Sequence, residues 1–163
     1  MVNPPPITLR DIRPSDKALL ADGITRLSLA SAYARFLSAK PRFSEAELRY
    51  LTEVDGFDHV ALLAFDARRP DRLVAVGRFV RDRDDPEQAE VGIVVADHLH
   101  GRGLGTMVGL ALAERARVLG IKRFSAIMLP ENTAALALFA RISAHLHSEV
   151  HDGVRELVAD LAA

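Results

Sequence analysis

The chain has 163 residues, of which 49% are hydrophobic and 26% charged, and its formal net charge is −1. This length and balance are typical of a globular domain, and a charge near zero gives no electrostatic reason to bind nucleic acid or an anionic membrane. The absence of cysteine excludes disulfides, thiolate metal sites and a cysteine acyl-enzyme. No segment resembles a signal peptide or a run of about 20 apolar residues, so the cytoplasm is the expected location.

The N-terminus combines a proline-rich lead-in with a first strand. Prolines at 4–6 cannot donate main-chain hydrogen bonds and favour an extended chain, so residues 1–6 are expected to form a flexible tail. Residues 7–12 alternate apolar and polar side chains, as a half-buried strand does. Without internal repeats or linkers, residues 7–163 are expected to form a single domain.

Helical signals dominate the next segment. Residues 14–20 have the composition of a helix start, residues 27–37 continue in a helical pattern, and Ser44-x-x-Glu47 has the form of a capping box. Two or three short helices are therefore expected. Four aromatic side chains in this segment are interpreted as core: Tyr33, Phe36, Phe43 and Tyr50.

Strand patterns follow in the middle of the chain. Residues 59–65 and 73–79 are apolar runs rich in β-branched and aromatic residues, which predicts a hairpin with its turn around residues 69–71. The mixture of acids, bases and proline at 81–87 predicts a solvated loop. A further strand begins at Glu90.

The last part alternates helices and strands. Residues 104–119 carry apolar side chains at helical spacing, and residues 123–129 predict a strand. Asn132 is a suitable N-cap for the next helix. Two strand-like runs, 144–150 and 154–161, then flank His151-Asp152-Gly153, which suits a hairpin turn.

A glycine-rich turn joins the strand at Glu90 to the long helix. His100-Gly101-Arg102-Gly103-Leu104-Gly105 lets consecutive N–H groups turn towards one point at the positive helix end, which predicts an anion site, most simply for phosphate. A Walker loop is excluded because no Gly-Lys-Ser/Thr follows. A dinucleotide-binding fingerprint is excluded because the sequence lacks its third glycine and its acidic residue at the required positions. The alternative is a tight turn with no ligand.

The glycine-rich turn resembles motif A of the GCN5-related N-acetyltransferase (GNAT) family, Arg/Gln-x-x-Gly-x-Gly/Ala at a helix start. Here it reads His100-x-x-Gly103-x-Gly105, so the first position departs from the family pattern. The resemblance implies an α/β fold with a mixed, mostly antiparallel sheet of about seven strands, flanked by helices and splayed in the middle. The element order matches that fold over nearly the whole chain.

The resemblance also implies acetyl-CoA as co-substrate, with its pantetheine arm in the splayed gap and its diphosphate at the helix start. Asn132 matches a family asparagine that caps the helix and touches the cofactor. Phe139 stands where the family often has a tyrosine. The residues expected at acetyl-CoA are Ile93, Val94, Val95, His100, Gly101, Arg102, Gly103, Leu104, Gly105, Thr106, Asn132 and Phe139.

Glu90 is the candidate catalytic residue. A lysine amine has an unperturbed pKa of about 10.4, so a proton must leave before the amine attacks a thioester near neutral pH. Family members that acetylate protein lysine often carry glutamate in an Ala-Glu-Ile/Val context, which Ala89-Glu90-Val91 matches. We expect Glu90 to accept the proton, directly or through water, with a pKa raised by partial burial. The alternative is a solvated or arginine-paired glutamate.

Two other steps need partners. Main-chain N–H groups near Val94 are expected to stabilise the oxyanion that forms. Phe139 cannot protonate the departing thiolate as the family tyrosine does, which leaves three alternatives. Water or an unassigned side chain is the acid, the thiolate leaves unprotonated, or the chain is inactive.

The six histidines raise the question of a metal site. His98 and His100 lie close together, and His145, His147 and His151 lie near the end of the chain. No cysteine or acidic ligand set accompanies them, so no metal is expected. His98 and His100 are expected to flank the cofactor entrance.

Residues 7–14, 51–55 and 60–62 also resemble the acetyltransferase domain of bacterial Pat-type protein lysine acetyltransferases. The first hypothesis is therefore acetyl-CoA-dependent acetylation of a primary amine, with a protein lysine as acceptor. The second is a small amine such as a polyamine, an aminoglycoside or an amino-acid derivative. The third is a non-catalytic acyl-CoA-binding module. Monomer and homodimer remain open.

Overall fold

The computed structural model of the protein describes residues 3–36 and 42–161, without the side chains of residues 29, 33 and 34. None of the helices within these ranges is long and apolar enough to cross a membrane. The elements are β1 (Ile7–Asp11), α1 (Lys17–Thr25), α2 (Leu29–Phe36), α3 (Glu45–Thr52), β2 (His59–Asp66), β3 (Arg69–Arg81), β4 (Gln88–Val95), α4 (Leu104–Val118), β5 (Arg123–Met128), α5 (Thr133–Ile142), β6 (Ser143–His151) and β7 (Val154–Leu161).

The strands form one seven-stranded sheet in the order β1-β2-β3-β4-β5-β7-β6. Every neighbouring pair is antiparallel except β4 and β5, which are parallel. A helix lies between these two parallel strands in the chain, as a crossover connection requires. The predicted α/β fold with a mixed, mostly antiparallel sheet flanked by helices is confirmed.

Helices cover the sheet on both faces and create two apolar clusters. The larger cluster lies under α4 and α5 and contains Phe79 and Phe124, both fully buried with ring centroids 5.8 Å apart. The smaller cluster lies under α1 and α3 and contains Leu20 and Leu63. Each such side chain contributes roughly 1.5–3 kcal/mol by its burial. The sheet is thereby held between two helical layers.

The helical segment after β1 is confirmed in outline. A short 3-10 turn at Pro14–Asp16 leads into α1, and α2 and α3 follow. The capping box is present: Glu47 N donates to Ser44 Oγ at 3.1 Å, and Ser44 N donates to Glu47 Oε1 at 3.0 Å. The expectations for the Tyr33 side chain and for Leu37 lie outside the described residues.

The turn predicted at residues 69–71 is wrong, because β3 already begins at Arg69 and the turn is formed by Ala67 and Arg68. The main-chain N–H of Arg68 donates to Asp66 Oδ1 at 2.9 Å, so the aspartate side chain closes the hairpin before the proline is reached. The second predicted hairpin turn is confirmed. Asp152 and Gly153 have φ of 51° and 79°, as its tight two-residue form requires.

The end of the predicted tail is in contact with this turn. Residues 3–6 form no helix or strand, yet Pro5 is buried. The carbonyl of Pro6 accepts a hydrogen bond from Ala67 N at 2.7 Å. Proline lacks a donor but keeps its acceptor, and the chain uses that acceptor here.

Gly77 on β3 allows α4 to approach the sheet. A Cβ added there would lie 2.4 Å from Val108 Cγ1 and 2.8 Å from Leu112 Cδ1. We therefore expect Gly77→Ala to lower the free energy of unfolding by about 1–3 kcal/mol through overpacking, measured by urea denaturation. Gly23→Ala is the control, because its Cβ would meet its nearest atom at an ordinary 3.5 Å. Equal stability of the two variants would contradict the close packing.

Candidate functional site

The sheet opens between β4 and β5, and this fork is where the site begins. The two strands pair over only three positions, Gln88 to Glu90 against Arg123 to Ser125. Both strands then continue, to Val95 and to Met128, without pairing with each other. The predicted splay in the middle of the sheet is therefore confirmed.

The register with β3 determines which main-chain groups of β4 face the gap. Ala96 N donates to Val74 O and Asp82 N to Gln88 O, so the even-numbered positions of β4 bond to β3. Main-chain groups alternate along a strand. Those of Ile93 and Val95 consequently point into the gap, whereas those of Val94 point to β3. The oxyanion donors were expected near Val94, and the N–H groups that face the gap there belong to its neighbours Ile93 and Val95. Their role as oxyanion donors stays a prediction.

The glycine-rich loop follows the open end of β4. Gly101 and Gly103 have φ of 76° and 82°, in the left-handed region that favours glycine, and a Cβ at either position would meet no atom within 4 Å. The first helical hydrogen bond of α4 runs from Met107 N to Gly103 O at 3.0 Å. The N–H groups of residues 104–106 therefore have no acceptor within the helix. They lie at the positive end of the helix dipole, where an anion is stabilised.

The neighbours of these glycines fix the helix start. Leu104 is 1% exposed and belongs to the core. A Cβ at Gly105 would lie 2.8 Å from Leu138 Cδ1, so this glycine allows α5 to pack against α4. Both residues can therefore offer a ligand little more than their main chain. Arg102 lies between Gly101 and Gly103 in the sequence and is half-buried.

Arg141 is a basic residue that the sequence analysis missed here. Its Nη1 lies 3.5 Å from Oγ1 of Thr106 in the first turn of α4. It projects from the last turn of α5, so no local pattern in the sequence relates it to the glycines. The contact adds positive charge beside the helix start, which favours an anionic ligand.

His100, the departure from the motif, has a structural partner. Its Nε2 lies 2.8 Å from the carbonyl oxygen of Val95. A carbonyl can only accept, so Nε2 carries the hydrogen and donates it. This bond ties the loop to the end of β4. His98 is exposed and lies on the other side, where it lines a cavity.

Glu90 occupies the closed end of the fork, since it is the last residue of β4 that pairs with β5. It shares one face of β4 with Gly92 and Val94, because side chains alternate along a strand. Its side chain is exposed, so the partial burial expected from the sequence is not found. The exposure leaves the carboxylate open to a substrate or a water molecule.

The predicted cofactor residues on α5 are a cap and a core residue. Oδ1 of Asn132 accepts a hydrogen bond from Ala135 N at 3.1 Å, which confirms the N-cap. Phe139 is 5% exposed and belongs to the larger apolar cluster. A cofactor contact by either side chain stays a prediction.

A cavity of about 340 Å³ lies between the helices α1–α3 and the strands β3 and β4. It is on the Glu90 face of β4, since Gly92 and Val94 line it. Phe36 and Phe43 also line it, with ring centroids 5.7 Å apart. Tyr50 is 58% exposed, so the interpretation of this tyrosine as a core residue is wrong.

Arginines give this cavity a basic character that the sequence analysis missed. Arg35, Arg78, Arg26 and Arg72 line it, against a single acidic residue, Asp97, among the lining residues described. Arg26 is paired with Asp22 at 3.0 Å. The signal for one of them was visible: Arg78 interrupts an otherwise apolar strand.

Asp97 connects the cavity wall to the loop after β4. Its carboxylate accepts from the main-chain N–H of Ser28 at 2.7 Å and from the hydroxyl of Ser31. These hydrogen bonds, with that of Ser31 the largest cause, hold the pKa of Asp97 below its usual range. The residues bound lie just before and within α2. The carboxylate is therefore already engaged and anchors this helix beside β4.

His59 on β2 is held neutral by its burial and by the neighbouring Arg78. Nη1 of Arg78 lies 3.0 Å from Nε2 of His59, and an arginine can only donate, so this nitrogen is an acceptor. Burial, and next the charge of Arg78, lower the pKa of His59 from 6.5 to about 4. The unfolded chain therefore binds this proton first as the pH falls.

We expect the free energy of unfolding to decline as the pH falls from about 6.5 to about 4, because protonation of His59 favours the unfolded state in that window. Urea denaturation at a series of pH values measures the slope. His59→Gln should flatten it, since glutamine does not titrate. An equal slope in both proteins would show that other groups cause the decline.

In residues 3–36 and 42–161, no group of three or more His, Cys, Asp or Glu side chains could hold a metal ion. Near the C-terminal end, His147 and His151 instead lie near acidic neighbours, 3.4 Å from Glu149 and 3.1 Å from Glu156.

Comparison with known proteins points to one family. The acetyltransferase (GNAT) domain family matches residues 7–145 of the chain. Acetyltransferase Pat of Mycolicibacterium smegmatis is 35% identical over 137 residues, which are 83% of this chain and 40% of that protein. The chain thus spans 40% of the length of this relative.

Solved structures agree with that match. The GNAT domain of S. lividans PAT superposes with a TM-score of 0.84 at 30% identity, over 94% of this chain and 89% of that one. YncA of Salmonella typhimurium, solved with its cofactor acetyl-CoA, superposes with a TM-score of 0.72 over 96% of this chain and 94% of that one. At 16% identity, this second likeness shows the fold alone.

Proposed function

The chain belongs to the acetyltransferase (GNAT) family, and on that premise we propose that it transfers the acetyl group of acetyl-CoA to a primary amine, with a protein lysine as acceptor. One observation carries the proposal. Beyond Glu90, β4 no longer pairs with β5. The glycine-rich loop lies at one end of this stretch of β4 and the carboxylate of Glu90 at the other. Five residues of strand separate Val95 from Glu90, roughly 17 Å. An extended ligand bound at the loop can therefore reach the carboxylate.

The residues that would hold acetyl-CoA are mostly main chain. N–H groups of residues 104–106 suit a diphosphate, and open space lies before Gly101 and Gly103, where a Cβ would meet no atom. The gap-facing main-chain groups of Ile93 and the N–H of Val95 can pair with amides of a pantetheine arm in the way of an added strand. When bound, acetyl-CoA supplies an acetyl group activated as a thioester.

Glu90 would act as the base in this reaction. The carboxylate is exposed at the closed end of the fork, so an ammonium group can approach it or a water molecule bound to it. Loss of the proton makes the amine a nucleophile. The gap-facing N–H groups of Ile93 and Val95 are the donors available to an oxyanion. We assign no acid, because Phe139 is buried and cannot donate a proton.

The assignment of a protein lysine is supported by the resemblance to Pat-type enzymes and by Ala89-Glu90-Val91. A second candidate acceptor, a small amine carrying an acidic group, is favoured by the arginines of the cavity. A free lysine ammonium would meet a surplus of positive charge there, which costs Coulomb energy. Both candidates use the same acetyl donor and the same base.

The test is incorporation of label from acetyl-CoA into a cell extract and, in parallel, into a panel of small amines. Labelled protein that yields acetyl-lysine in peptides supports the protein acceptor. Label confined to small amines supports the second candidate. Binding of acetyl-CoA, measured by calorimetry, without transfer to any amine would identify a non-catalytic binding module and contradict the proposal.

A further inference from the structure

Arg35 lies directly over the strand that carries Glu90. A Cβ built on Gly92 would lie 2.4–2.8 Å from three atoms of the Arg35 guanidinium group, so the glycine provides the space that this group occupies. The guanidinium also stacks on Phe36, with its central carbon 5.0 Å from the ring centroid. Within the described chain no hydrogen bond or ion pair engages it. Its position is therefore fixed by packing and its donors remain available.

Arg78 lies beside it on the same face of the sheet. It is directly opposite Gly92 in the register of β3 and β4, and only 7% of it is exposed. Nη1 donates to the carbonyl of Leu51 and contacts Nε2 of His59, each at 3.0 Å. For Nε and Nη2, no acceptor is found among residues 3–36 and 42–161. Two guanidinium groups with free donors thus meet at one rung of the sheet.

The charge of this pair is poorly compensated. Burial is the main cause, and Arg35 the next, of the lowering of the pKa of Arg78 to about 10. Both groups remain charged near neutral pH. The carboxylate of Asp97 is engaged by Ser28 and Ser31, and Glu90 attracts Arg35 without an ion pair between them among the described residues. Residues 37–41 contain no Asp or Glu. Uncompensated buried charge is costly and is often a sign of a binding site.

We propose that Arg35 and Arg78 form an anion subsite in the cavity, and that this subsite binds a carboxylate of the acceptor. The inference deepens the proposed function and rests on it, because the cavity is taken as the place where the amine enters. A carboxylate suits the site because its two oxygens can accept two parallel hydrogen bonds from one guanidinium group. Its charge also offsets the repulsion between the two cations.

The subsite sets a spacing for the acceptor. Gly92, under Arg35, is two residues from Glu90 on the same face of β4, which corresponds to roughly 7 Å along the strand. An acceptor whose amine and carboxylate are separated by about this distance can place the amine at Glu90 and the carboxylate at the arginines. A lysine with a free α-carboxylate has this form. A lysine next to an acidic residue in a polypeptide is the other source of the same chemistry.

The experiment compares acceptors that differ only in the carboxylate. Rates of CoA release are measured with Nα-acetyl-lysine and its methylamide, and with two peptides in which the lysine is followed by Asp or by Asn. We expect the wild-type protein to prefer the carboxylate in kcat/KM by about 10- to 100-fold, mainly through KM. A preference in the first pair alone points to a small acid, and in the second pair alone to a polypeptide. No preference in either pair overturns the inference.

Variants separate recognition from structure. Arg35→Gln should reduce the preference to within about twofold, and Arg35→Lys should retain part of it. Arg68→Gln, at the exposed β2–β3 turn, is the matched control and should keep the full preference. An equal loss with both acceptors in Arg35→Gln would indicate a structural or transition-state role instead. The wild-type comparison does not depend on any variant folding.

Failure of the proposed function can be told apart from failure of the subsite. If no amine is acetylated, calorimetric titration with Nα-acetyl-lysine and with its methylamide still measures the contribution of the carboxylate. Tighter binding of the acid, lost in Arg35→Gln, would then support the subsite while the proposed reaction fails. Equal binding of the two compounds would overturn the subsite.

Discussion

Glu90→Gln is expected to lower kcat by about 10²- to 10⁴-fold near neutral pH, which is the range that a positioned general base contributes. Glutamine keeps the size of the side chain but cannot accept the proton of the ammonium group. The Michaelis constant for acetyl-CoA should change little, because the glycine-rich loop lies at the other end of the part of β4 that does not pair with β5. CoA release, followed with a thiol reagent, measures both constants.

The pH dependence sharpens this test. A lysine amine with a pKa of about 10.4 loses its proton to solvent as the pH rises, so the variant should recover nearly tenfold in rate per pH unit between pH values of roughly 7 and 9. Glu87→Gln is the matched control, since Glu87 precedes the same strand and pairs with Lys122 at 2.7 Å. It should retain its activity. Full activity in Glu90→Gln would reject the carboxylate as the base.

Gly103→Ala should raise the Kd of acetyl-CoA by about tenfold or more, equivalent to roughly 1.4 kcal/mol. Gly103 is the N-cap residue of α4 and has φ of 82°. An alanine there favours a different main-chain conformation, which turns the N–H groups of the loop away from the anion. Strain at such a position costs about 1–2 kcal/mol. Calorimetric titration of acetyl-CoA measures the change in affinity.

Gly120→Ala provides a control at the other end of the same helix. Gly120 has φ of 81°, and a Cβ there would also meet no atom within 4 Å. Both variants should therefore lose similar stability in thermal denaturation, while the affinity changes only in Gly103→Ala. Equal affinities in the two variants would contradict an anion cradle at the start of α4.

The order of strands and helices was predictable because apolar side chains alternate with polar ones in a half-buried strand and recur at three-to-four-residue spacing in a helix. The alternation at residues 7–12 and the helical spacing after Leu104 each gave the correct element, and the Ser44 capping box gave the start of α3. The turn after β2 was not predictable in the same way. Asp66 and the Arg69-Pro70-Asp71 segment compete for the turn, and sequence alone does not say which closes first.

The site was predictable where it depends on main-chain conformation. Gly101 and Gly103 do adopt left-handed conformations, and β4 and β5 do separate. The exposure of Glu90 and the direction of the Val94 main chain depend on strand register, which emerges only when β3 and β4 are paired. The arginine pair was beyond prediction for a similar reason. Arg35 and Arg78 are far apart in sequence, and Gly92, which brings them together, has no pattern of its own.

The short ladder between β4 and β5 has a consequence for the persistence of the protein in a cell. Three paired positions between β4 and β5 join the two halves of the sheet at the main-chain level. A ligand that pairs with the open edges of these strands would therefore add hydrogen bonds between the two halves for as long as it is bound. At a free concentration 100 times its Kd, such a ligand adds about 2.7 kcal/mol to the folded state. Degradation by proteases that act on the opened chain would then slow whenever the ligand is abundant, and the amount of the protein would follow the supply of this ligand.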